Sequence, residues 1–216
     1  EVRRQHARQG HGEQGAQHSQ ALHSWFAHIP GLRVVMPSTV ADARDLLIAA
    51  TLCPDPVIYI DDRWLYDQKD TLEPAIEMDL SKLGPIIRHC GEDITIVGSG
   101  YSSLLASQAR ERLIQLGYSV EVVDLRVINP LDTSLISDSV IKTGRLIVVD
   151  GGWESCGLAG EVIASVTEKL PVTAWKASPS RGTLPSAPAP TASVLEGSYY
   201  PTVEDVVQKA IKCLTS

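Results

Sequence analysis

No stretch of this sequence is apolar for long enough to cross a bilayer. Apolar runs such as Val57 to Ile60 and Leu146 to Val149 are strand-sized, far short of the ~20 residues that a spanning helix needs. A surplus of basic charge is also missing: 19 Lys and Arg against 26 Asp and Glu give a formal net charge of −7 and a pI near 5.3. Nucleic-acid binding rests on clustered cations, so that function is excluded as a leading reading. Cysteine is sparse and unpaired. Cys53, Cys90, Cys156 and Cys213 form no C-x-x-C pair, so their spacing indicates neither a zinc site nor a disulfide framework, and free thiols in a reducing cytosol are the expectation. An initiating Met and an apolar leader are absent too, and the chain is expected to begin inside a longer polypeptide.

What is present is an alternation of helical and strand-like segments. With 216 residues and 44% hydrophobic content, the chain can bury one large or two modest α/β domains. The first block reads as helix 21–28, strand 32–36, helix 39–52 and strand 56–61. Thr39 is the expected N-cap of the third element, and Ala43, Leu46, Leu47 and Ala50 share one helical face. Cys53-Pro54-Asp55-Pro56 ends that helix, because proline disfavours the helical conformation in the residue before it. Two clear strands are few for an independent domain. Residues 67–80 are polar and carry Pro74, and read as a linker.

A second series follows: strand 93–98, helix 103–116, strand 119–125, helix 133–142, strand 145–150, helix 158–170, strand 172–176 and helix 203–214. Near-continuous apolar strands joined by helices imply a mostly parallel sheet covered by helices on both faces. Residues 177–201 hold Pro179, Pro185, Pro188, Pro190 and Pro201, and their composition alone favours a flexible segment.

The densest set of functional groups is Gly12-Glu13-Gln14-Gly15-Ala16-Gln17-His18-Ser19-Gln20, placed before a helix. Its glycines permit tight turns, and a helix start attracts anions. His18 can move a proton near neutral pH, or it can simply be a packed histidine beside a helix cap. Five histidines fall within residues 1–28, yet His18, His23 and His28 are five apart and no H-E-x-x-H occurs, which argues against a metal site. Gly98-Ser99-Gly100 lacks the third glycine of a dinucleotide fingerprint and reads as a strand-to-helix turn. Small residues at Gly157-Leu158-Ala159-Gly160 fit close packing at a helix start. Asp61-Asp62-Arg63 reads as a solvated strand end with a local ion pair, rather than a ligand pair.

Together the segments 15–39, 42–50, 56–67, 122–132, 142–153 and 195–207 resemble one family across nearly the whole chain: beta subunits of thiamine-diphosphate-dependent 2-oxo acid dehydrogenases of the pyruvate, branched-chain and acetoin type, within the transketolase-like group. The resemblance implies an α/β fold in which residues 1–75 end a pyrimidine-binding domain and residues 76–216 form a transketolase C-terminal-type domain. It also implies that the glutamate activating thiamine diphosphate lies upstream of this chain. The diphosphate and Mg2+ are then held by missing residues or by a partner. His18, in the G-A-Q-H-S-Q motif, carries over as the catalytic residue facing cofactor and substrate, and no cofactor-binding or metal-ligating residue is assigned. Family K+ sites map to residues 50–55, where Cys53 and Asp55 depart from the pattern and put K+ in doubt.

Implied partners are an alpha-type subunit and a second beta subunit in a heterotetramer, and a lipoyl acyltransferase core. The implied location is the cytoplasm, or the mitochondrial matrix of a eukaryote. The fragment alone is expected to be inactive. Competing expectations are a transketolase-like acyloin or ketol transferase and a non-catalytic assembly module. The resemblance also turns the proline-rich stretch into an ordered, packed segment.

Overall fold

The structure is a computed structural model that describes residues 2–7 and 15–216. Two sheets share the chain. The first has the order β1-β3-β2-β7, built from β1 (Val2–Ala7), β2 (Arg33–Val35), β3 (Val57–Asp62) and β7 (Val127–Asn129). Strands β1 and β2 flank β3 in parallel, while β7 joins the edge antiparallel to β2. The second has the order β4-β6-β5-β8-β9, from β4 (Ile86–His89), β5 (Ile94–Gly98), β6 (Val120–Asp124), β8 (Leu146–Trp153) and β9 (Ser180–Leu184). Only its β4 edge is antiparallel.

Short helices α1 (Gly15–His18) and α2 (His23–Ala27) precede β2, and α3 (Val40–Leu52) leads to β3. The second sheet is wound with α4 (Tyr101–Gln115), α5 (Ser134–Thr143) and α6 (Leu158–Lys169), then α7 (Ser193–Glu196) and α8 (Val203–Thr215). Successive strand residues point to opposite faces, so each sheet feeds two cores. Ile94, Ile96 and Val122 pack beneath α4 and α8 with Leu113, Val206 and Ala210. Their neighbours Val97 and Val123 turn the other way, into a core shared with Ile58 and Ile60 of the first sheet and with Ile136, Val140, Val162 and Val166 of α5 and α6. A third core lies under α3, where Leu46, Ala49 and Ala50 meet Val35, Val57 and Tyr59. The middle core makes the two sheets neighbours rather than beads on a string.

Thr39 caps α3 as expected, its side chain accepting from the Asp42 amide at 3.1 Å. The strand expected at 172–176 is a correction: Val172–Ala174 is a single 3-10 turn, and the strand beside β8 is β9 instead. Strands β1, β4 and β7 were not expected, and β7 supplies the first sheet with a strand from beyond the 67–80 segment. That segment is mostly exposed and has no regular structure between residues 68 and 79. The proline-rich stretch packs: Leu184, Ala189 and Tyr199 are buried, and the Trp153 indole donates to the Ala187 carbonyl and the Tyr199 hydroxyl at 2.9 and 3.0 Å.

Candidate functional site

His18 ends the four-residue helix α1 and is exposed, as are Ala16 and Gln17. The residues after it turn inward: Ser19, Ala21 and His23 are buried. Trp25 and His28 turn out again, Trp25 being 68% exposed. Gly12, Glu13 and Gln14 of the polar cluster, together with His11, lie outside the described residues.

The inward turn ends in an ion pair that sequence reasoning missed. His23 Nε2 meets Asp150 Oδ1 at 2.7 Å, with the side chains 1% and 2% exposed. Asp150 sits on β8, where its carboxylate also accepts from the amides of Gly152 at 2.8 Å and Ala159 at 3.0 Å. Burial favours the neutral form of both groups. The opposing effects win: beside Asp150, and within the field of Asp62, His23 is held above its ordinary pKa, and Asp150 is held below its own by the imidazolium and the two amides. Nδ1 of His23 is buried with no hydrogen-bond partner among the described residues.

Asp62, expected at a solvated strand end, is 4% exposed. Its carboxylate accepts from the Trp64 amide at 3.1 Å and the Tyr101 amide at 3.3 Å, fastening β3 to the start of α4. Burial pushes its pKa up to about 7. The Gly98-Ser99-Gly100 turn is set by space and backbone. A Cβ at Gly98 would lie 2.6 Å from the backbone of Ser102 and Ser103, and Gly100 has φ +53°. At the start of α6 the helix is tied down by Asp150, and a Cβ at Gly157 would lie 2.1 Å from the Trp153 carbonyl.

Between α2 and the β8–α6 connection lies a cleft of about 1130 Å³, lined by Trp25, His28, Trp153, Glu154 and Arg181 among others. Across its rim Arg181 donates to Glu154 at 2.9 Å. Among the described residues, no group of three His, Cys, Asp or Glu could hold a metal ion. In the connection after α3, Cys53 is half-buried and Asp55 is already taken by the Arg33 guanidinium at 2.7 Å. These residues do not fit a complete thiamine diphosphate and Mg2+ site. They offer an exposed imidazole and a cleft.

The chain matches the transketolase pyrimidine-binding domain over residues 5–68 and the transketolase C-terminal domain over residues 84–206. It is 37% identical over 201 residues to the pyruvate dehydrogenase E1 component subunit beta of Ascaris suum, covering 92% of this chain and 56% of that one. Identity to the beta-1 subunit of Arabidopsis thaliana is 37%, over 90% and 54% of the two chains. The beta subunit of the acetoin:2,6-dichlorophenolindophenol oxidoreductase of Bacillus subtilis is 36% identical, over 92% and 58%. The chain thus spans little more than half the length of these curated relatives. A solved structure of a split-gene transketolase, an inactive beta4 tetramer, superposes with a TM-score of 0.77 at 22% identity, over 99% of this chain and 66% of that one, and that likeness is one of fold.

Proposed function

Because the chain belongs to the transketolase family, carrying its pyrimidine-binding and C-terminal domains in order, we propose that it is part of the beta-type component of a thiamine-diphosphate-dependent 2-oxo acid dehydrogenase. Residues 1–75 then end the pyrimidine-binding domain, and residues 76–216 form the C-terminal domain. The observation that carries this reading is His18: in the one segment rich in polar functional groups, it faces outward while Ser19, Ala21 and His23 behind it are buried. An imidazole so displayed can orient a substrate or exchange a proton with a group brought from another chain.

When bound, the cofactor supplies the carbanion and electron sink of the decarboxylation. The residues that activate it and hold its diphosphate and Mg2+ come from outside this chain. The activating glutamate lies in the part of the polypeptide upstream of residue 1, the diphosphate and Mg2+ are held by that part or by an alpha-type subunit, a second beta subunit completes a heterotetramer, and a lipoyl acyltransferase core receives the acyl group. K+ has no part in this reading.

The test assembles the full-length protein with a candidate alpha subunit, thiamine diphosphate and Mg2+, and follows substrate-dependent reduction of an artificial electron acceptor. Since one relative is named for acetoin, acetoin belongs in the panel beside several 2-oxo acids. Turnover of at least one substrate is expected, and silence across the panel rejects the proposal. His18→Ala is expected to slow reductive acylation of lipoamide by about 100-fold, in line with the loss of a general acid–base group. An unchanged rate would make His18 a structural residue only.

A further inference from the structure

His23 is the fifth residue after His18, and the chain between them is held from below. Its contact with Asp150 joins α2, which packs on the first sheet, to β8, an inner strand of the second. Asp150 cannot follow a shift of His23, because its two oxygens are also bound to the amides of Gly152 and Ala159. On the side of Gly152 the ring has little room to move. A Cβ at Gly152 would already lie 3.2 Å from the imidazole Cε1, so the glycine leaves only the width of the ring itself. The pair is therefore a fixed point between the sheets, placed directly behind the segment that displays His18.

We propose that His23 is a positioning residue: its imidazolium, anchored on Asp150, holds residues 15–27 against β8 and sets where His18 is presented, and loss of the imidazolium proton loosens that segment. The catalytic consequence rests on the function proposed above. The latch itself does not.

The titratable groups acting on His23 among the described residues are Asp150 on β8 and Asp62 at the end of β3. With its proton, the ring balances Asp150. Without it, Asp150 is a buried anion supported by hydrogen bonds alone, which is costly in a dry interior. The folded pKa of His23 lies above 6.5. Its contribution is thus complete below that value and fades as pH rises through the folded one. Asp62, titrating at about 7, becomes an anion as pH rises through that value, and its charge then favours the imidazolium.

Hydrogen exchange of peptides within residues 16–27, measured on the full-length protein from pH 6 to 9 and corrected for intrinsic rates, reads the latch directly. Protection is expected to fall about tenfold across the titration in the wild type. In His23→Gln, which keeps an N–H donor toward Asp150 but cannot titrate, the fall should shrink to the part that Asp62 alone contributes. A flat wild-type profile, or the same fall in His23→Gln, overturns the proposal. A second reading needs no variant: among the imidazole 15N signals of the wild type, one ring should still hold both protons at pH 6.5. If every ring has lost one by pH 6.5, there is no latch. In the assembled enzyme, His23→Gln should remove the alkaline limb of the kcat profile for lipoamide acylation, with KM for the 2-oxo acid unchanged, and retention of that limb counts against positioning. Should the assembled wild type turn over no substrate, the functional reading fails while hydrogen exchange still decides the latch.

Discussion

At the scale of single residues, Asp62 is the group most out of keeping with its surroundings. A carboxyl at a strand end is ordinarily solvated, yet this one is buried, accepts from two amides and titrates at about 7. Its folded pKa is above its unfolded value of 3.8. The stability it contributes is therefore present below pH 4 and is lost as pH rises through about 7. The wild type should lose on the order of a few kcal/mol from this group between pH 4 and 8, a slope that Asp62→Asn abolishes. Asparagine keeps one acceptor for the Trp64 amide and surrenders the bond to Tyr101, so the variant starts from a constant deficit. Denaturant midpoints at several pH values separate deficit from slope, and a variant as pH-dependent as the wild type would place the titration elsewhere. None of this was legible in Asp61-Asp62-Arg63, because burial there is imposed by α4. The pairing of His23 with Asp150 was hidden for the same reason, its partners lying 127 residues apart. His18 drew attention through its motif, and its exposure is a fact of the fold alone.

At the scale of elements, local chemistry was a good guide wherever an element's own residues decide its state. Helix α3 begins at the Thr39 cap that its sequence announces, and α8 follows its amphipathic pattern, burying Val206, Val207, Ala210 and Cys213. A complete capping box starts α8: Thr202 accepts from the Asp205 amide at 3.2 Å, and Asp205 accepts from the Thr202 amide at 2.8 Å. Thr202→Ala removes the first of these bonds and leaves the acid in place, so it should cost about 1 kcal/mol. Urea denaturation monitored by circular dichroism would register the change, and no loss would mean that tertiary contacts alone hold the end of α8. Strands were harder to read. Val172-Thr173-Ala174 has β-branched, strand-like character, yet Pro171 opens a tight turn there. Ser180–Leu184, with Gly182 in its middle, becomes β9 only because β8 lies beside it to take its hydrogen bonds. A three-residue strand such as β7 has too few residues to show a period at all.

At the scale of the whole molecule, the question is whether the two sheets fold as separate units. Three features bind them: β7 crosses to pair with β2, the middle core takes residues from both sheets, and a charge cluster bridges their ends. In that cluster Arg88 of β4 donates to Asp42 of α3 and to Asp124 of β6, the latter at 2.7 and 3.0 Å. Ser38 donates to the same Asp124, and Arg126 reaches Asp42 at 3.4 Å and the Gly84 carbonyl at 3.0 Å. The Arg126 guanidinium is bonded to Asp42 and the Gly84 carbonyl, and only its backbone amide reaches Asp124, so it does not replace Arg88 there. Arg88→Met keeps the bulk of the stem but strands the fully buried Asp124 with only Ser38 and backbone contacts, at a cost of roughly 3 kcal/mol. The shared core and the crossed strand remain in the variant. Unfolding should therefore shift to lower denaturant as a single transition, with tryptophan fluorescence and far-ultraviolet circular dichroism still coincident. Two separated transitions in Arg88→Met would show that the charge cluster, and not the middle core, is what makes the two sheets one cooperative body.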